Sequence, residues 1–320
     1  MMTDDERYMA RCLQLARHGL LTAPPNPMVG AVIVHQGRII GEGWHRRYGG
    51  PHSEDNALRA LRPADEALLS EATLYVNLEP CSHWGKTPPC ADLIVEKHLR
   101  RVVIGMTDPF AKVQGRGIQR LKEAGIDVTT GILEAECREL NKRFIAVHTR
   151  HRPWITLKWA QSADGFIDRL RHSHEEGQPV LFSTPWTQML VHRLRATHQA
   201  ILVGRRTWEL DRPALTTRYW PGNSPQKLIL TTKGRSERWE TEDSQAQIAL
   251  ISHPSSLISP TAPYQSVLVE GGAQTLQSFI DHDLWDEAYI EQTDIILGHG
   301  VKAPKMKTDP KGRPVHVNFA

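Results

Sequence analysis

The chain has 320 residues, a formal net charge of +3 and 40% hydrophobic against 23% charged residues. That length suits two globular domains of roughly 150 residues each, and so balanced a charge carries no nucleic-acid footprint. No apolar run approaches a membrane span, the N-terminus is acidic rather than signal-like, and four cysteines without a secretion signal fit the reducing cytoplasm.

Thr3-Asp4-Asp5-Glu6 has the capping-box form, and apolar residues at helical spacing carry a first helix to about Gly19. Pro24-Pro25-Asn26-Pro27 reads as a rigid loop that fixes the Asn26 backbone and lets its amide be aimed; the plainer reading is a turn asparagine. Strands over 29–35 and 38–45 follow, then a helix over 52–61 with His52 and Glu54 in its first turn. A strand over 74–77 runs into Glu79-Pro80-Cys81, and Pro88-Pro89 opens a helix with Cys90 at its start. One histidine and two cysteines suit zinc, and three protein ligands leave a fourth position for water, as in a catalytic site. Zinc brings the pKa of such a water toward about 7, and a carboxylate two residues past the ligand His52 can ferry its proton. The H-x-E and P-C pairing is the signature of zinc deaminases of nucleobases, with the glutamate as acid/base. The alternatives are a closed structural site completed by His83, a zinc-stapled scaffold, which would have no use for Glu54, and a Cys81–Cys90 disulfide, which does not suit a reducing compartment. Both metal-bearing segments present helix N-termini, and that polarity favours the thiolate of Cys90.

Strands over 102–106 and 126–129, a helix from Gly115-Arg116-Gly117 to Ala124 and a closing helix over 134–147 complete a three-layer α/β/α sandwich over residues 1–149. Cys12 and Cys137 sit in helical patterns as small core residues. Arg150-His151-Arg152-Pro153 breaks the pattern, and a second α/β domain occupies residues 153–320. Within it, residues 168–177 read as an exposed charged loop; His172, His174, Glu175, Glu176 and Asp168 look metal-binding but are better read as solvated. Thr184-Pro185 starts a helix, and strands cover 200–204, 227–231, 248–252, 266–270 and 287–292. Glu270-Gly271-Gly272 between strand and helix is a place where a phosphate meets backbone N–H groups, without the G-x-G-x-x-G spacing of a Rossmann site.

From about residue 6 to 305 the chain resembles the bifunctional riboflavin-biosynthesis family, a diaminohydroxyphosphoribosylaminopyrimidine deaminase joined to a 5-amino-6-(5-phosphoribosylamino)uracil reductase. Pro25-Asn26-Pro27-Met28-Val29-Gly30, the His52/Glu54 pair, the Cys81-to-Cys90 segment, Thr107-Asp108-Pro109 and Gly115-Arg116-Gly117 carry the resemblance. It implies a cytidine-deaminase-like first domain with zinc on His52, Cys81 and Cys90, Glu54 as proton shuttle, and substrate contacts from Asn26, His45, Lys86 and Asp108. It implies a dihydrofolate-reductase-like second domain that uses NADPH. There Lys158, before Asp164-Gly165, matches an early strand motif. Arg195, Leu215, Arg218 and Glu270 would hold the ribosyl phosphate, with Thr207 and Asp211 facing the cofactor. Gly272, Ala273, Gln274, Thr275, Leu276, Gln277 and Ser278 would cradle its phosphates. Ser53 stands where the family has alanine, a small change from which little effect is expected. Leu181-Phe182-Ser183 replace a Trp-Ile-Thr, the segment between Trp239 and Val267 is short, as is the ending after Pro304, and Arg205-Arg206 offer guanidinium groups to a 2′-phosphate. The expected partners are small-molecule pyrimidine ribose phosphates and other copies of the chain, with neither nucleic acid nor membrane. The alternatives are a deaminase whose second domain binds substrate or mediates oligomerisation without reducing, and a tRNA-editing deaminase. The eight residues between Cys81 and Cys90 exceed the latter's usual short P-C-x-x-C.

Overall fold

The computed structural model describes residues 2–84, 88–110, 114–232, 248–258, 264–306 and 311–318. The chain divides into two compact units, Met1–Arg150 and His151–Ala320. The first holds α1 (Asp4–Ala16), β1 (Gly30–His35), β2 (Arg38–Trp44), α2 (Ser53–Arg59), β3 (Thr73–Leu78), α3 (Cys90–Glu96), β4 (Arg101–Met106), α4 (Arg116–Glu123), β5 (Asp127–Thr130), α5 (Glu134–Leu140) and α6 (Lys142–Arg150). Its sheet runs β2-β1-β3-β4-β5, with β1 antiparallel to β2 and β3, and β3, β4 and β5 parallel.

Alternation along the strands sorts side chains to two faces. Ala31, Ile33, Leu74, Val76 and Ile104 meet α2, α3 and α4 through Ala57, Ala91, Ile94 and Leu121. Val32, Val34, Tyr75 and Val103 meet α1 and α5 through Tyr8, Met9, Cys12 and Cys137. These are the three expected layers. The capping box of α1 forms in full, Thr3 accepting from the Glu6 N–H and the Glu6 carboxylate from the Thr3 N–H. The single helix expected over 134–147 is instead two, α5 and α6, parted at Asn141. Its amide is spent on the Met28 backbone, accepting from Met28 N at 2.8 Å and donating to Met28 O at 3.0 Å.

The second unit holds β6 (Trp154–Gln161), β7 (Phe166–Asp168), α7 (Pro185–Thr197), β8 (Ala200–Gly204), α8 (Arg205–Asp211), β9 (Gln226–Leu230), β10 (Ile248–Ile251), β11 (Ser266–Val269), α9 (Ala273–Asp281), β12 (Glu287–Gln292), β13 (Val301–Lys302) and β14 (Val315–Val317). Seven parallel strands run β10-β9-β8-β11-β6-β12-β14, and β7 pairs with β13 apart from them. One face packs Ile155, Leu157, Val267 and Val269 on Leu276 and Phe279 of α9. The other packs Ile201, Val203 and Leu268 on Leu215, with Leu194 of α7 and Trp208 of α8 against them. The charged stretch expected to be an exposed loop has a buried centre: Arg171 is 5% exposed and ion-paired to Asp168 and Asp211. Residues 240–247 and 259–263 of the segment between Trp239 and Val267 lie outside the described residues. Among the described residues, no helix is long and apolar enough to cross a membrane.

Candidate active sites

In the first unit the site gathers where the parallel strands β3 and β4 end and helices begin, the usual place for a ligand in an open α/β sheet. His52 is the N-cap of α2, Cys81 lies just past β3, and Cys90 is the first residue of α3. What fixes α2 is glycine. A Cβ on Gly43 would lie 2.4 Å from Ala57 N, and one on Gly41 2.5 Å from Ala57 O, so the helix rests directly on the β2 backbone. Met28, two residues past Asn26, is held by Asn141 and by Asn77, whose amide donates to Met28 O and accepts from Gly30 N.

His52 Nδ1 lies 3.2 Å from Cys90 Sγ and 3.5 Å from Cys81 Sγ, and all three ligand atoms fall within 4.8 Å of one another. Tetrahedral zinc, with Zn–N about 2.0 Å and Zn–S about 2.3 Å, sets such atoms about 3.5 Å apart. The donor set and its spacing therefore fit zinc. All four cysteines are free thiols, so no disulfide joins Cys81 to Cys90. The two thiols do not divide as the helix polarity alone suggests. Cys81 accepts from Cys90, both from its side chain and from its N–H, and is drawn down to about 4. Cys90 is pushed well up by sharing its proton with Cys81, by burial and by nearby Glu54.

Glu54 is 4% exposed, and burial raises its carboxyl pKa against the pull of His52. Ser53 Oγ donates to Glu54 Oε2 at 2.7 Å from a fully buried position, a contact that its small size did not announce. His45 is buried; its Nδ1–H donates to Pro51 O and its Nε2 accepts from Asn26 Nδ2, each at 3.0 Å. Desolvation lowers its pKa, so it stays neutral. Asp108 is 7% exposed, accepts from Phe110 N, and is pushed up to about 6 by burial. Lys86 lies outside the described residues. His83 is not a ligand, and its buried Nδ1 has no partner among the described residues.

Glu79 went unread in the sequence. It is 3% exposed and accepts four backbone N–H groups: Oε2 from Asp108 and Gly115, and Oε1 from Gly117 and Ile118. A Cβ on Gly117 would lie 2.0 Å from Pro80 O, which accounts for the second glycine of Gly115-Arg116-Gly117. The available signal was a carboxylate directly before Pro-Cys.

In the second unit, Arg195 grips Glu270 with two bonds, Nε to Oε1 at 2.9 Å and Nη2 to Oε2 at 2.6 Å. Lys158, on β6, has its pKa lowered by burial and held up by Glu270 and Glu291. Glu291 was not foreseen: it accepts from Ser183 at 2.5 Å and Thr187 at 2.7 Å, tying the start of α7 to β12. Leu215 is buried in the left-handed region at φ 51, and Arg218 Nη1 donates to Thr216 Oγ1. At the carboxyl ends of β8 and β11, a Cβ on Gly204 would lie 2.2 Å from Thr275 Oγ1 and one on Gly272 2.9 Å from Thr207 Oγ1. This close-walled, glycine-lined cradle at the start of α9, with the two threonine hydroxyls, fits the phosphates of a dinucleotide. Ala273 and the largely exposed Gln274 begin that helix. Leu276, however, is fully buried in the core, and Gln277 turns to Asp281 and Lys305, so neither offers the cradle a side chain. Ser278 O accepts from His282 Nδ1. Asp211 is held by Arg171, Arg205 by Glu209, and Arg206 donates to Arg171 O. The histidines and carboxylates of 168–177 gather no metal cluster among the described residues; His174 Nδ1 donates to Leu210 O and Glu176 accepts from His172 N.

Residues 2–106 match the cytidine and deoxycytidylate deaminase zinc-binding region, and residues 153–318 match the RibD C-terminal domain. The chain belongs to the RibD family. RibD of Aquifex aeolicus is 35% identical over 325 residues, covering 93% of this chain and 89% of that protein. A diaminohydroxyphosphoribosylaminopyrimidine deaminase/5-amino-6-(5-phosphoribosylamino)uracil reductase from Thermotoga maritima superposes with a TM-score of 0.81 at 35% identity, covering 97% of this chain and 93% of that one. RibD of Acinetobacter baumannii superposes with a TM-score of 0.81 at 32% identity, over 97% and 92%. The chain is thus a bifunctional deaminase and reductase of riboflavin biosynthesis, with zinc serving the first half and NADPH the second.

Proposed function

We propose that the first unit deaminates a diaminohydroxyphosphoribosylaminopyrimidine and that the second reduces the resulting 5-amino-6-(5-phosphoribosylamino)uracil, the reactions named for the Thermotoga maritima protein. The observation that carries the reading is the His52, Cys81 and Cys90 triad with buried Glu54 beside it. Bound zinc supplies the Lewis acid that makes water nucleophilic near neutral pH. Glu54 carries the proton from the attacking water to the departing amine, and burial gives it the raised pKa that such a shuttle needs. Asn26, with its NH2 spent on His45, turns Oδ1 to a pyrimidine donor. Asp108 and His83 Nδ1, which has no partner among the described residues, take further positions on the base edge, and Lys86 takes the phosphate.

In the second unit Lys158, Arg195, Leu215, Arg218 and Glu270 hold the ribosyl phosphate, while Thr207, Asp211 and the start of α9 at Gly272 hold the cofactor. NADPH supplies the hydride that opens the sugar at C1′ to a ribityl chain. The domains are residues 1–149 and 153–320, and the protein works in the cytoplasm as a homo-oligomer, which light scattering on the purified chain would test.

The decisive experiment pairs metal analysis with ammonia release. Cys81→Ser should lose zinc, and retention of a full equivalent would overturn the ligand set. Glu54→Gln should keep zinc and lose about 10² to 10⁴-fold in deamination. Near-normal ammonia release would remove Glu54 from the role.

A further inference from the structure

We propose that His192 is a positioning residue of the reductase site, its Nδ1 holding the turn from Leu215 to Tyr219 so that Arg218 meets the substrate. The inference rests on the reading above in which Arg218 and Leu215 contact the ribosyl phosphate. His192 lies in α7, three residues before Arg195, so the two share one helix face. Its ring is 4% exposed and tilts against Tyr219 with centroids 4.7 Å apart.

Nδ1 accepts the N–H of Arg218 at 2.8 Å and that of Tyr219 at 3.4 Å. A nitrogen that accepts carries no proton, so the neutral ring keeps its single hydrogen on Nε2. Arg195 fastens the other end of the same turn, donating from Nη1 to Thr216 O at 3.2 Å while its remaining edge grips Glu270. Leu215, at φ 51, comes immediately before Thr216, whose carbonyl Arg195 holds. A left-handed leucine is strained, and such a conformation persists only where its surroundings hold it. Two side chains from one helix face therefore hold a strained turn, and His192 is the one whose bonds fall on Arg218 itself. Burial between Arg195 and Arg218, opposed by Glu270, brings the imidazole down to about 4, which keeps the accepting lone pair available at neutral pH.

The test uses the full purified chain, deaminated substrate and NADPH. Asn carries Oδ1 close to where His carries Nδ1, so His192→Asn should keep both KM values and kcat within about twofold. His192→Leu strands two backbone N–H groups and should raise KM for the pyrimidine about tenfold, with kcat and the NADPH KM little changed. His192→Gln sets its acceptor nearer Nε2 and should behave like the leucine variant; it keeps the test decisive if leucine prevents folding, which thermal melting would show. Arg218→Ala reports on the underlying reading. If Arg218→Ala raises the pyrimidine KM while His192→Leu and His192→Gln do not, the proposal falls and the substrate reading stands. If Arg218→Ala leaves that KM unchanged, the substrate reading fails and the proposal with it. A folded His192→Asn as impaired as the leucine variant, or a fall confined to kcat, would also overturn it.

Discussion

At the scale of single residues, the deaminase half places a buried hydroxyl beside its carboxylate. Ser53 donates to Glu54 Oε2 within a fully buried contact, so it both orients the carboxylate and satisfies one of its lone pairs. Ser53→Ala should retain zinc and lower kcat for ammonia release about three- to tenfold, the range expected for one side-chain hydrogen bond of about 1 kcal/mol. A variant as fast as the parent would show that the helix backbone alone aims Glu54. His192 offers a second measurement. Its pKa is lowered to about 4 by burial and by Arg195 and Arg218, whereas the unfolded chain takes up that proton near 6.5. The folded-state value is depressed, so between these pH values the unfolded state binds more protons and stability falls as pH falls. Denaturant titrations at pH 7 and pH 5 should show a smaller loss for His192→Asn than for the parent, and equal losses would contradict the assignment.

At the scale of elements, the metal helix is set by the strand beneath it. Gly43→Ala would drive a methyl to 2.4 Å from Ala57 N, and no flexible side chain is there to yield. The expected result is a loss of about 1–3 kcal/mol in stability, together with weaker zinc retention on chelator challenge. A melting temperature within a degree of the parent would show that α2 can lift off β2. This level also shows where the sequence was readable. His52 with Glu54, and Cys81 after its strand, form motifs over short stretches of chain, so spacing alone revealed them. The break at Asn141 was not readable, because the residue that draws it out of the helix is Met28, 113 positions earlier. Charged residues near 171 looked solvated for the same reason: Asp211, which buries Arg171, is 40 positions away. Leu276 was counted with a phosphate turn from its neighbours, although the helical phase of α9 points it into the core. Distant partners, not local propensity, decided each of these.

At the scale of the molecule, each unit has its own core and its own sheet. Lesions should therefore stay within a unit: Cys81→Ser should abolish ammonia release while NADPH oxidation with supplied deaminated substrate continues. Simultaneous loss of both would show that zinc also supports the second unit. Within the first unit, Glu79 joins segments that share no strand ladder, since one carboxylate receives the amides of Asp108, Gly115, Gly117 and Ile118. Seen by deuterium exchange, these four amides form one reporter. None can open without loosening its hold on the same two oxygens, so their protection should rise and fall together, at a level set by the sheet rather than by loops. Glu79→Gln exchanges one accepting oxygen for an amide that cannot accept, and should speed exchange at all four amides; faster exchange at one pair alone would show that the two oxygens hold their amides independently.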